Sequence, residues 1–180
     1  MAVMRILVDI DLLDDEQMQS QIAMDSLWIM LLGILFGVFA AAVLPHEDIS
    51  VVWFVLLGAA SVAALPIHEL VHAIAFKVFS GGRAHVKFGF SGWMLYTTSP
   101  GTVLVRKSFC AVLLAPAIIV SAVMGVVAFM QGYPLLAWFL VVVHLAGCTG
   151  DIGYVRIILS EPMANLVQDT SKGIALYHDE

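Results

Sequence analysis

The sequence predicts an all-α polytopic membrane protein, with about four transmembrane helices and a small cytoplasmic β-hairpin between the second and third. Three observations predict it. Of 180 residues, 61% are hydrophobic and only 12% are charged, against about half and about a quarter in an ordinary soluble domain. The mean hydropathy is +0.98. The apolar residues gather into long runs, and the basic residues fall in alternate connections between them.

The runs are Leu27–Leu44, Val51–Phe79, Phe109–Met130 and Leu135–Leu159. A bilayer core needs about 20 helical residues. The first run is near the lower limit and the others suffice. Backbone groups in lipid must be satisfied within the segment, so helices are expected. The runs lack the period-2 alternation of barrel strands. Gly33 and Gly37 in the first span form a GxxxG, the pattern of a close helix contact.

Arg5 precedes the first span. Lys77, Arg83, Lys87, Arg106 and Lys107 lie at or in the connection between spans two and three. Arg156 and Lys172 lie at and beyond the end of the fourth. The other two connections, residues 46–50 and 131–134, contain no Lys or Arg. Four spans place every basic segment on one side, which the positive-inside rule makes cytoplasmic. Both termini are then cytoplasmic. Residues 1–26 read as an N-terminal cytoplasmic segment, 27–159 as the transmembrane core and 160–180 as a cytoplasmic tail. The whole reads as one membrane-embedded domain in the cell membrane, its non-protein partner the lipid bilayer.

The N-terminus does not read as a secretory signal, because acids interrupt it and no small-residue cleavage site follows an apolar stretch. There is no basic patch or motif for nucleic acid. Cys110 and Cys148 read as small core residues, Cys148 lying close to Asp151 in sequence. No feature sets an oligomeric state.

Between Ser80 and Lys107, the stretches AHVKFGF and WMLYTT flank a turn signal at Ser91-Gly92. Such β-branched and aromatic runs predict a hairpin. The tail KGIALYHDE reads as a further short strand beside it.

Inside the second span lies LPIHELVHAIA. His68 and His72 are four residues apart, so on a helix both imidazoles face one metal ion. Glu69 leans toward a water on that metal. Zinc is the usual ion for HExxH, with the glutamate as general base. A charged residue near the centre of a membrane helix costs about 2.5–3.5 kcal/mol on insertion scales. The alternative is a pair of buried histidines bonded to neighbouring helices.

A catalytic zinc takes three protein ligands. Asp151, in the fourth span, is the best third ligand. Counted from the cytoplasmic ends of their spans, His72 and Asp151 both lie about 10–12 Å deep. The alternatives for Asp151 are an N-cap or a pair with Arg156, and Glu161 is the fallback ligand. His144 precedes Asp151 by two helical turns and would lie about 10 Å farther from the cytoplasm. It is read either as a core histidine or as a weak candidate to bind substrate or an oxyanion. His144, Thr149 and Ser121 are the few other polar residues within the spans. His46, His85 and His178 are expected to be exposed.

HELVHA, LLAPAII around Pro116, GDIGYVRII and the tail VQDTSKGIALY together resemble the family of multi-pass membrane proteins described as putative zincin peptidases. That family in turn looks like a compact relative of the site-2 proteases. The resemblance covers about Val51 to Tyr177. It implies a zinc metalloprotease of the HExxH type, with His68, His72 and Asp151 on Zn2+ and Glu69 as the catalytic glutamate. It implies a membrane protein or peptide substrate. Here Ala115 precedes Pro116 where site-2 proteases keep a glycine, Ile152 follows Asp151, and His144 stands near the position of their asparagine. A non-catalytic metal-binding transporter or sensor is the alternative; a purely structural membrane protein explains the spans but not the polar cluster.

Overall fold

The computed structural model describes residues 4–11, 15–43, 47–91 and 94–179. The order of elements is β1 (Met4–Asp11), α1 (Glu16–Val43), α2 (Val51–Phe79), β2 (Lys87–Ser91), β3 (Met94–Thr98), β4 (Val103–Val105), α3 (Arg106–Met130), α4 (Pro134–Gly147), α5 (Thr149–Ser160), β5 (Leu166–Asp169) and β6 (Gly173–Asp179). The helices α1, α2 and α3 are long and apolar enough to cross a membrane, and α4 with α5 passes the same test as a pair. Large apolar side chains such as Leu35, Phe39, Val62 and Val78 are exposed along α1 and α2, as lipid-facing surfaces require.

α1 starts earlier than its apolar run, because Asp15 accepts the Met18 N–H at 2.9 Å and caps the first turn. Gly33 and Gly37 press against α4. A Cβ on Gly33 would meet Val142 at 2.2 Å, and one on Gly37 would meet Phe139 at 2.7 Å. The expected close contact is therefore with α4, and Trp138 Nε1 donates to the Gly33 carbonyl across it at 2.9 Å. α2 ends where Gly81 and Gly82 take positive φ. α4 starts with Pro134 at its first turn, where the Glu47 carboxylate accepts the Leu135 and Leu136 N–H groups.

The fourth apolar run is not one helix. It breaks at Cys148, and α4 and α5 meet at a 53° bend. The cause is local. The Cys148 thiol donates to the His144 carbonyl and the Thr149 hydroxyl to that of Ala146, at 3.1 and 3.0 Å. Gly147 and Gly150 flank the pair and lower helix propensity.

The fold also holds more sheet than the sequence predicts. The β2–β3 hairpin is present, paired from Lys87–Thr98 to Ser91–Met94; its turn at Gly92 lies outside the described residues, as does His46. A second, four-stranded antiparallel sheet has the order β1-β6-β5-β4. The tail strand thus joins this sheet and not the hairpin, and the N-terminal segment supplies an edge strand. "All-α" is therefore corrected to a helical bundle with two small sheets. One core cluster joins the sheet to the helix ends through Phe76, Phe109, Ile158, Val167, Ile174 and Leu176. Another joins α2, α3 and α4 around Trp53 and Leu136.

Candidate metal centre

α2 carries His68, Glu69 and His72 across from the first turn of α5, which carries Asp151. His68 Nε2 and His72 Nε2 are 3.1 Å apart. Asp151 Oδ2 lies 3.2 Å from the first and 3.3 Å from the second. These three atoms form a nearly equilateral triangle. A tetrahedral zinc with ligands at about 2.0–2.2 Å separates them by about 3.3–3.6 Å. The triangle is thus close to one face of that tetrahedron, and a fourth vertex is left for water or substrate.

The donor chemistry fits a cation as well. His72 Nδ1 lies 3.0 Å from the Val112 carbonyl. A carbonyl only accepts, so Nδ1 carries the proton and a neutral His72 turns its Nε2 lone pair inward. That lone pair meets a carboxylate oxygen. Two acceptors this close require a shared cation, either a metal ion or a proton on the imidazole. An outer partner that fixes the ring of a ligating histidine is the usual second layer of a metal site.

His68 is backed by a longer chain. Its Nδ1 lies 3.3 Å from His144 Nε2, and His144 Nδ1 lies 2.8 Å from Ser121 Oγ. With a metal on His68 Nε2, protons sit on both Nδ1 atoms and the chain runs outward to Ser121. His144 therefore lies beside the cluster, and not about 10 Å away as an unbroken helix would place it; the bend after Cys148 accounts for the difference. Both its ring nitrogens are engaged, which leaves neither free for an oxyanion. Cys148 Sγ is fully buried and 3.8 Å from both His68 Nδ1 and His144 Nδ1. His68, His144 and Cys148 form a second set of potential ligands that shares His68 with the first.

Glu69 is half-buried, and its Oε2 has no hydrogen-bond partner among the described residues. It lines a cavity of about 340 Å3 with Pro66 and Leu70 of α2 and with Phe88, Leu95 and Tyr96 of the hairpin. Thr97 Oγ1 donates to the Glu69 backbone carbonyl at 3.0 Å and ties β3 to the motif.

The other sequence candidates fall away from the cluster. Arg156 pairs with Asp25 and not with Asp151. Glu161 follows the end of α5. His85 is exposed, and His178, half-buried, bonds the Met163 carbonyl at 2.7 Å. Sequence reasoning missed the Val112 carbonyl and the tie from Thr97. Ser121 was visible as a rare polar residue in a span, without a partner.

A family described as putative zincin peptidase matches residues 61–166, a stretch that includes all the residues of the triangle. No curated protein and no solved structure matches the chain.

Proposed function

The chain belongs to the putative zincin peptidase family, and from that premise we propose a zinc-dependent membrane metallopeptidase that hydrolyses peptide bonds of membrane or juxtamembrane substrates. The observation that carries the proposal is the triangle of His68, His72 and Asp151 beside an unpartnered Glu69 carboxylate oxygen. The three side chains would hold the ion. Zinc, when bound, acidifies water toward a pKa of about 7 and polarises a carbonyl. Glu69 takes the proton of the attacking water and passes it to the departing amine. The hairpin faces the same cavity and offers strand edges to hold a peptide extended, by β-augmentation. His144 and Ser121 keep His68 in the ligating tautomer.

Sheet parity supports four crossings. β1 precedes α1, β4 lies between α2 and α3, and β5 follows α5, yet all three belong to one sheet. A hydrogen-bonded sheet occupies one side of a bilayer, so an even number of crossings separates each pair. α1 and α2 supply two between β1 and β4. α3 supplies one between β4 and β5, so α4 and α5 together supply the other. The basic connections lie on the sheet side, which supports our reading of a cell-membrane protein with both termini in the cytoplasm. This arrangement is the one a site-2-protease-like enzyme requires for a site opening to the cytoplasm.

The test is hydrolysis of candidate membrane peptides by the purified chain. Glu69→Gln keeps zinc and loses about 10²–10⁴-fold in rate. Equal cleavage by both proteins rejects the peptidase. A second reading, a non-catalytic transporter or sensor, draws support from His144 and Cys148, which extend the donors beyond one layer. It predicts zinc entry into vesicles that depends on Asp151 and not on Glu69.

A further inference from the structure

α3 carries a proline in its interior, Pro116. In an α-helix each N–H bonds the carbonyl four residues earlier. Pro116 has no N–H, so the carbonyl of Val112 lacks its ordinary partner. This is the carbonyl that accepts the His72 Nδ1 proton at 3.0 Å. Val112 is fully buried and so is Pro116. An unpaired carbonyl there is out of reach of water and costly. His72 is buried as well, and its outer N–H faces the same cost.

We propose that Pro116 is a positioning residue of the metal centre: it removes the N–H that would hold the Val112 carbonyl within α3 and leaves that carbonyl to orient His72. The proposal rests on the metal-centre reading above but not on peptidase turnover. A proline present only to bend α3 gives the same helix and a different result on substitution.

The experiment compares zinc affinity, by competition with a chromophoric chelator, on the full chain in detergent. Three proteins are used: wild type, Pro116→Ala, and a chain with the α-hydroxy analogue of alanine at 116. The ester in the third protein lacks both the ring and the N–H. Thermal midpoints of the metal-free proteins are read alongside. Pro116→Ala is expected to raise the midpoint, because it restores a helical hydrogen bond, and to weaken zinc about tenfold, at the low end for an outer-layer partner. A carbonyl has two lone pairs, so competition weakens the His72 bond without abolishing it. The ester restores wild-type affinity. Wild-type affinity in Pro116→Ala, or an ester as weak as alanine, overturns the role of the proline. A wild type that binds no zinc overturns the metal centre and this role with it. A wild type that binds zinc but cleaves nothing leaves both standing and rejects only the peptidase.

Discussion

His68 and His72 come from one unbroken helix, while Asp151 and His144 come from either side of a 53° bend. In the α2 half, helical periodicity brings the two imidazoles to one face, since residues four apart share it. The α4–α5 half exists only because the helix breaks at Cys148 and the first turn of α5 aims a carboxylate across at α2. A metal centre built in this way has one preset wall and one wall set by packing. Substitutions that act on the second wall should therefore affect the centre from a distance, and those on the first should act only by contact.

The largest effect expected is from Asp151→Ala. It removes one corner of the triangle and leaves both imidazoles in place, so zinc measured on the purified chain falls from about one per chain to none. Retention of zinc at wild-type affinity would mean that the packed wall takes no part. His144→Leu comes next. It deletes the back support of His68 without touching a ligand. Zinc affinity should fall about 10–100-fold by chelator competition, with His144→Gln recovering much of the loss because its amide oxygen accepts from His68 Nδ1. Equal affinities in all three proteins would reduce His144 to a core residue.

Gly33→Ala probes the packed wall from farther away. Its Cβ would overlap Val142 on α4, an overpacking that costs about 1–3 kcal/mol. The thermal midpoint should fall, and zinc affinity with it by a few-fold. A fall in stability alone would show that the bend holds Asp151 independently of α1. The smallest effect concerns the preset wall. Asp169 of β5 accepts the Thr98 hydroxyl at 2.6 Å, one residue along β3 from the Thr97 tie to Glu69. Burial pushes its carboxyl up to about 6, against the donors Thr98 and Ser99, which favour the charged form. The folded chain thus holds this proton more tightly than the unfolded one. The stability contributed by the proton is complete below about 3.8 and is lost as pH rises through about 6. Asp169→Asn should flatten that part of a pH–stability profile and leave zinc at neutral pH unchanged.

The two walls were also unequally legible in the sequence. HExxH announces a shared helix face, and the apolar runs announce spans, because both signals are local. The closeness of Asp151 was reachable from its depth. The position of His144 was not, because depth was counted along a helix assumed to be straight. The warning lay in Gly147-Cys148-Thr149-Gly150, where two side chains that can bond backbone carbonyls sit between two glycines. The four-stranded sheet was hidden for a different reason. Only β5 and β6 pair as a local hairpin; the other two pairings join distant parts of the chain, as Met4 joins Asp179 and Val103 joins Gln168, and no local turn announces those. The role of Val112 could not be read from its own side chain at all, since only its carbonyl contributes.

That long-range pairing also sets an order of events during synthesis. The ribosome delivers His68, Glu69 and His72 well before Asp151, and β1 well before β6. A chain still being made therefore carries two imidazoles and a glutamate without their carboxylate, while its first strand waits for its last. The triangle can close only once α5 has been made and packed against α2. Chains that stall before α5 thus lack a corner of the triangle, and on the zinc reading metal loading would mark completed biogenesis.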